Sequence, residues 1–338
     1  MYNVAVVGAT GAVGRELMKV LDDLKFPVKK LLPLASERSA GTEMETPFGV
    51  VKVEKLAADK FEGIDVAFFC AGATISKEYA HEAVKRGALV IDNSSAFRMD
   101  PNVPLVVPEV NIDAARNHKG IIANPNCSTI IMLVPLAPIH KRYTIKRIIV
   151  STYQAVSGAG HYGMEALENE TKAYIEGKEI VPDTLPVRSG AVHHQIAFNV
   201  IPQVDVAMED GYTKEEHKMI FETRKIFAND AIGVCATTVR VPVFRSHSES
   251  ITVETLKPVP LQELREVLSH SPGVVLQDDI KNSVYPMPYY ASGTDEVYVG
   301  RLREDPSAPN SICMWVVGDQ LRKGAATNAV QIAQKLFE

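Results

Sequence analysis

The opening stretch constrains the fold more than any other. Tyr2-Asn3-Val4-Ala5-Val6-Val7 is a short β-branched run suited to a buried parallel strand. Gly8-Ala9-Thr10-Gly11-Ala12-Val13-Gly14 follows as a G-x-x-G-x-x-G turn, after which Val13, Leu17, Val20, Leu21 and Leu24 recur on one helical face. Strand, glycine turn and helix are the context that a dinucleotide site requires. Glycines there permit a tight turn and close approach of a pyrophosphate, which the helix N-terminus stabilises. The spacing departs from G-x-G-x-x-G, so a tight turn without ligand is the competing reading.

The alternation continues. A second strand, Lys30 to Ala35, ends in Ser36-Glu37-Arg38-Ser39-Ala40-Gly41. An acidic residue near this point holds a ribose 2′-hydroxyl, whereas an arginine accommodates a 2′-phosphate. Glu37 and Arg38 are both present, so the residues leave NAD and NADP open, and two serines flanking an arginine lean toward phosphate. A solvated polar loop is the plain alternative. Asp65 to Cys70 reads as a third buried strand, Ser76 to Arg86 as a helix, and Leu89 to Asp92 as a further strand with Asn93-Ser94-Ser95 at its tip. Arg98 lies just beyond, placed to reach the crevice at the carboxyl ends of the strands.

Asn124-Pro125-Asn126-Cys127-Ser128-Thr129 then opens a long apolar segment. A cysteine at a helix start sits among unpaired backbone N–H groups at the positive end of the dipole, and both favour thiolate, the nucleophilic form. A buried cysteine acting as a small hydrophobe is the commoner fate. Cys70, Cys127, Cys235 and Cys313 show neither metal-ligand spacing nor a disulfide framework, which points to a reducing cytoplasm and no metal.

At 338 residues two domains are expected, and a net charge of -5 gives no electrostatic footprint for nucleic acid or an anionic membrane. The apolar stretch from Ile130 to Ile139 is too short to span a bilayer and carries Pro135 and Pro138, and no signal peptide is visible at the N-terminus.

Beyond Cys127 the periodicity changes. Arg147 to Ala155 reads as a strand leading into Val156-Ser157-Gly158-Ala159-Gly160, and a helix runs from about Tyr162 to Glu176. The stretch from Val181 to Val206 is irregular. His193 and His194 within it lack a third ligand at zinc spacing and read as structural. Thr213-Lys214-Glu215-Glu216 is a capping box opening a helix on which Glu215 and Lys218 share a face, by default as an exposed ion pair. Strands Val234 to Arg245, Ser250 to Lys257, Val297 to Arg303 and Ile312 to Val317 imply a mixed, largely antiparallel sheet. A helix from Leu261 to His270 lies among them, and a terminal helix from about Ala325 is expected to return to the nucleotide domain. The expected α/β architecture is a Rossmann-type doubly wound sheet (1–125 with 318–338) plus an α+β catalytic and dimerisation domain (126–317).

The glycine turn, the Ser36–Gly41 loop, Asn126-Cys127-Ser128-Thr129, Gln154 with Ser157-Gly158-Ala159-Gly160, and Arg240 with His247 occur in that order. As an ordered set they resemble the aspartate-semialdehyde dehydrogenase family, from the first strand to the terminal helix. The resemblance implies NADPH-dependent reductive dephosphorylation of L-aspartyl 4-phosphate to L-aspartate 4-semialdehyde and phosphate, on the route to lysine, threonine, methionine and diaminopimelate. It further implies a cytoplasmic homodimer, or a tetramer of such dimers. Cys127 then matches the nucleophile, His247 the acid/base and Gln154 the residue orienting the substrate. Arg240 matches the grip on the α-carboxylate, Arg98 and Lys218 the phosphate site, Glu215 the amino-group contact, and Asn126 a further substrate contact. Gly8, Thr10, Gly11, Ala12, Val13, Ser36, Arg38, Ser39, Ser157, Gly158 and Gln320 match cofactor contacts. In that chemistry a Cys127 thioester divides one difficult step into two easier ones, with His247 taking the thiol proton. The rival enzyme is N-acetyl-γ-glutamyl-phosphate reductase, whose acylated substrate has no use for an acidic partner such as Glu215. A catalytically silent nucleotide-binding relative is the alternative from another class.

Overall fold

Residues 1–337 are described by a computed structural model. The β-branched run is β1 (Tyr2–Val7) and the amphipathic stretch after the glycines is α1 (Ala12–Asp23). Next come β2 (Val28–Ala35), a hairpin of β3 (Glu43–Thr46) and β4 (Gly49–Lys52), and the short β5 (Glu54–Lys55). The last three escaped the sequence reading because strands of two to four residues are too short to show an apolar period. β6 (Val66–Phe69), α2 (Ala73–Lys85), β7 (Leu89–Asp92), α3 (Pro108–Ala115) and β8 (Ile121–Ala123) continue the alternation.

Among the described residues these strands form a parallel sheet in the order β5-β2-β1-β6-β7-β8. The order turns back between β1 and β6, and that switch point is where an open α/β sheet meets its ligand. Both faces are covered, as parallel strands require. Val4, Val6, Val66, Phe68 and Ile91 share a core with Leu17 and Leu21 of α1, while on the opposite face Phe69 stacks on Phe61. The terminal helix Thr327–Phe337 contributes Ala329, Val330 and Ala333 to that first core. The chain accordingly divides into a first unit of Met1–Cys127, Lys225–Phe227 and the segment from Leu321 on, and a second of Ser128–Arg224 and Ala228–Gln320.

The second unit is built on α4 (Cys127–Tyr143), which is buried from Ser128 to Leu136. Next in the chain are β9 (Ile145–Gln154), α5 (His161–Ile175), α6 (Lys214–Phe227), β10 (Gly233–Arg240) and β11 (His247–Thr255). The remaining elements are α7 (Leu261–Ser269), β12 (Val274–Leu276), α8 (Pro288–Ala291), β13 (Val297–Glu304) and β14 (Ser311–Gly318). The strands form a mixed sheet in the order β10-β9-β11-β14-β13-β12, parallel at β9/β10 and β12/β13 and antiparallel elsewhere. A Cβ on Gly318 would stand 2.9 Å from Ile131, so α4 lies directly on β14.

Two strand boundaries differ from expectation. The strand expected to reach Arg245 ends at Arg240, because Pro242 has no N–H for a ladder. The next strand starts at His247, which therefore stands on the sheet and not in a loop. Among the described residues no helix is long and apolar enough to cross a membrane.

Candidate active site

In the first unit the glycine turn is closed by contacts that only glycine permits. Gly8 takes φ +84°, and a Cβ there would stand 2.9 Å from the carbonyl of Cys70 at the end of β6. A Cβ on Gly14 would lie 2.3 Å from Gly8 O, so α1 begins against the turn itself. Gly11 is the N-cap of α1, which has no side-chain cap and no acidic residue in its first turn. Thr10, Ala12 and Val13 surround that end, half-buried. A close backbone approach beside an uncapped helix N-terminus fits a dinucleotide pyrophosphate. Beyond β2, Ser36 and Arg38 are exposed and Ser39 is half-buried, while Glu37 pairs with Lys55 at 3.0 Å. Of the two candidates for the ribose, the carboxylate is thus occupied by a lysine.

Arg98 is buried, donating from Nε to the carbonyl of Asn124 (2.9 Å) and from Nη2 to that of Asn93 (2.8 Å). Its guanidinium is anchored at the carboxyl ends of β7 and β8. Asn124 donates to Asn93 Oδ1 (2.9 Å) and accepts from Asn328 Nδ2 (2.7 Å), a network that steadies the approach to Cys127. Asn126 is buried, and Cys127 is half-buried as the first residue of α4, whose opening turn carries no acidic side chain. All four cysteines are thiols, not disulfides.

In the second unit, period two decides which side chains meet. The inner face of the sheet is apolar through Ile148, Val150, Ala236, Ile251, Val253 and Met314, then turns polar at one end. Thr152 and Gln154 on β9, Thr238 and Arg240 on β10, and His247 and Glu249 on β11 are all buried there. The registers Gln154↔Arg240 and Thr152↔Glu249 place them side by side. Thr152 Oγ1 donates to Gln154 Oε1 (3.1 Å), fixing the amide so that Nε2 donates to Glu215 Oε1 (3.2 Å).

Glu215 is held by the capping box read from the sequence. Thr213 N–H donates to Glu216 Oε2 (2.6 Å), and Glu216 N–H donates to Thr213 Oγ1 (3.3 Å). Glu216 also accepts from Thr238 N–H (2.8 Å), which ties α6 to β10. Lys218 Nζ donates to Glu215 (2.9 Å) and Asp205 (2.8 Å). The expected exposed pair is therefore wrong: Glu215 is 4 % exposed, with Lys218 between two carboxylates. Burial opposes the Lys218 charge, but the two carboxylates prevail and raise its pKa.

Arg240 Nη1 donates to the carbonyl of Ala155 (2.7 Å), while the backbone N–H of Ala155 donates to His247 Nδ1 (3.1 Å). His247 is fully buried, and its Nε2 has no hydrogen-bond partner among the described residues. Burial and then Arg240 push its pKa down to about 3 against the opposing pull of Glu215, so the ring is neutral at pH 7. Ser246, in the left-handed region (φ 72°), aims it, with Ser246 N–H donating to Gln320 Oε1 at 2.8 Å. Gln320 Nε2 donates to Ser157 Oγ, so both ends of the Gln320 amide are engaged within this unit. Gly158 is exposed against Arg240 and His247.

Thr152, Ala155, Asp205 and Glu249 were not singled out in the sequence. Thr152 and Glu249 could have been found by extending the alternation two residues from Gln154 and His247. Ala155 acts through its backbone and Asp205 lies in the irregular stretch, so neither leaves a pattern. Among the described residues no group of three or more His, Cys, Asp or Glu could hold a metal ion.

Fold and site together define a dinucleotide-binding α/β protein with a mixed-sheet companion unit. Residues 3–118 match the NAD binding domain of semialdehyde dehydrogenases, and residues 136–323 match their dimerisation domain. Aspartate-semialdehyde dehydrogenase from Aquifex aeolicus is 54 % identical over 340 residues, covering 100 % of this chain and 98 % of its own. The enzyme of that name from Bacillus subtilis is 50 % identical over 335 residues, covering 99 % and 97 %. Among solved structures, aspartate semialdehyde dehydrogenase II of Vibrio cholerae complexed with ASA superposes with a TM-score of 0.94 at 44 % identity, covering 100 % of this chain and 98 % of that one. The chain belongs to the aspartate-semialdehyde dehydrogenase family.

Proposed function

We propose that the protein catalyses NADPH-dependent reductive dephosphorylation of L-aspartyl 4-phosphate to L-aspartate 4-semialdehyde through a thioester on Cys127, as a cytoplasmic homodimer. The observation that carries the chemistry is Cys127 at the first position of α4, where the positive end of the helix dipole, with no acidic side chain in the first turn, favours a negative sulfur. The family supplies the substrate class.

The thiolate forms a C–S bond to the acyl carbon and phosphate leaves, after which bound NADPH supplies the hydride that reduces the thioester. Arg240 presents a planar fork to the α-carboxylate, and Glu215 receives the α-ammonium. Gln154, its amide oriented by Thr152, positions the substrate, with Asn126 beside the nucleophile. Arg98 and Lys218 receive the phosphate. Gly8, Thr10, Gly11, Ala12 and Val13 hold the pyrophosphate, Ser36, Arg38 and Ser39 the 2′-phosphate, and Ser157, Gly158 and Gln320 are assigned to the cofactor by the family resemblance. Pairing of Glu37 with Lys55 supports Arg38 as the group reading the ribose. The outer sheet face, with Ile149 and Tyr153 exposed, supports pairing of two copies.

A buried ionic cluster at Glu215 favours a free α-ammonium over an acetamide, and so favours this substrate over the N-acetylated one. The test offers aspartate semialdehyde and N-acetylglutamate semialdehyde in turn, with phosphate and NADP, and follows reduced nicotinamide. Turnover with the first supports the proposal; turnover with the second alone overturns it.

A further inference from the structure

We propose that Lys323 is a positioning residue for Arg98: its buried ammonium sets the direction of a relay of three asparagine amides, which holds the two backbone carbonyls that grip the guanidinium. The inference rests on the phosphate role assigned to Arg98 above and names what aligns that side chain within the first unit.

Lys323 is fully buried in Arg322–Ala326, a π-helical turn that leads into the terminal helix. Such turns are rare and recur at functional sites. Its Nζ donates to Glu109 Oε1 (2.8 Å) and Oε2 (2.7 Å) on α3, to Asn328 Oδ1 (3.1 Å) and to Gln331 Oε1 (2.6 Å). An ammonium has donors and no acceptor, so the Asn328 amide turns its oxygen toward Lys323 and its nitrogen away. Asn328 Nδ2 then donates to the carbonyl of Val106 (2.9 Å) and to Asn124 Oδ1 (2.7 Å). With its oxygen so engaged, Asn124 directs Nδ2 to Asn93 Oδ1 (2.9 Å) and to the carbonyl of Ala325 (3.3 Å). Asn93 in turn directs Nδ2 to the carbonyl of Phe69 (3.2 Å). Reversing any one amide sets oxygen against oxygen or N–H against N–H at its neighbour. One charge therefore decides every orientation in the relay.

The relay ends where Arg98 is held. The carbonyl of Asn124 accepts from Nε (2.9 Å) and that of Asn93 from Nη2 (2.8 Å). The backbones of both residues are fixed at the sheet edge, with Asn93 N–H donating to the carbonyl of Phe69 (2.9 Å) and Asn124 N–H to that of Asp92 (2.8 Å). The side-chain bond between Asn124 and Asn93 then sets the gap between their carbonyls, and so the plane of the guanidinium. Every residue of this chain of contacts belongs to the first unit.

A buried ion pair is a weak means of attaching a helix. Desolvation of the two charges offsets much of their attraction, and apolar side chains of similar volume often stabilise as well or better. What apolar packing does not supply is a direction for a neighbouring amide. That is the function left to Lys323, with Glu109 as its counter-charge.

The test uses the full-length chain and breaks the relay at two points. Asn328→Asp keeps the shape and the bond to Lys323 but has no N–H to offer Asn124. Lys323→Met combined with Glu109→Leu removes both charges together, so neither is left buried and unpaired. Gln331→Leu is the control, since it takes a partner from Lys323 outside the relay. Nitrogen-15 spectra of arginine-labelled protein follow exchange of the Arg98 Nε proton, assigned by its absence from Arg98→Lys. Exchange is expected to quicken about 5–10-fold in Asn328→Asp and in the double variant, the scale of one neutral hydrogen bond, and to keep the wild-type rate in Gln331→Leu. In the semialdehyde assay the same two relay variants are expected to raise KM for phosphate by about 5–10-fold and to leave KM for NADP nearly unchanged. Identical exchange in every variant, or equal quickening in Gln331→Leu, would overturn the inference, because Lys323 would then only fasten the terminal helix. Should Asn328→Asp fail to fold, the double variant decides the matter against the same control. The exchange rates do not depend on turnover. An enzyme inert toward aspartate semialdehyde would thus remove the phosphate role of Arg98, while its alignment by Lys323 would be judged on the spectra.

Discussion

A Cβ placed on Gly158 would stand 2.8 Å from Nη1 of Arg240 and 3.1 Å from Cε1 of His247. The glycine-rich turn after β9 is thus a surface against which two side chains of the candidate site rest, in addition to its expected role toward cofactor. Gly158→Ala is expected to fold normally and to lose about 10–100-fold in kcat/KM, the scale of a weakened charge-assisted hydrogen bond. Steady-state kinetics beside a thermal melt check it; full activity would mean that Arg240 can shift at no cost.

Thr152 and Gln154 yield a second prediction. Thr152 is fully buried and donates to the Gln154 amide oxygen. Thr152→Val keeps the shape and removes the donor, leaving the amide free to turn. The expected loss is about 5–10-fold in kcat/KM, from one neutral hydrogen bond of about 1 kcal/mol. Thr152→Ser should restore most of it, and in a Gln154→Ala background Thr152→Val should have little further effect. Equal losses in both backgrounds would show that Thr152 does not act through Gln154.

Much of this was legible in the sequence, for identifiable reasons. The β1–α1 unit combines a strand pattern, glycines and a helical face, three local signals that agree. The Thr213–Glu216 capping box is likewise local, and the structure forms both of its bonds. The burial of Glu215 and Lys218 was missed, because an i, i+3 ion pair looks the same whether solvent or Asp205 lies beyond it. The start of β11 was missed because Arg245-Ser246-His247 is polar and resembles a loop. Only the alternation running back from Ile251 through Glu249 puts His247 on the sheet.

Glu249 carries a prediction about stability. It is fully buried and neither carboxyl oxygen has a hydrogen-bond partner among the described residues; burial and then the nearby Glu215 raise its pKa well above the usual carboxylate range. A carboxyl with a raised folded pKa stabilises the fold below its unfolded pKa, and that contribution is lost as pH rises toward the folded value. Glu249→Gln removes the cost of holding the proton. Its Tm should exceed that of the wild type above about pH 4.5, by a margin that grows with pH up to the folded pKa. A margin that is constant or shrinks with pH would mean that Glu249 is ionised in the folded protein.

For the cofactor, Glu37 is paired with Lys55 while Arg38 is exposed beside Ser36 and Ser39. Arg38→Ala should raise KM for NADP by about 10–100-fold, the range for hydrogen bonds to a charged group, and leave KM for NAD nearly unchanged. Equal effects on both cofactors would place Arg38 away from the 2′-phosphate.

The central claim is a thioester on Cys127, and a burst experiment without phosphate tests it most directly. Enzyme mixed with aspartate semialdehyde and NADP should form reduced cofactor in an amount equal to the sites present and then stop. Adding phosphate should start steady turnover, and Cys127→Ala should show neither phase. A burst that survives in Cys127→Ala, or turnover that needs phosphate without any preceding burst in the wild type, would contradict the thioester account.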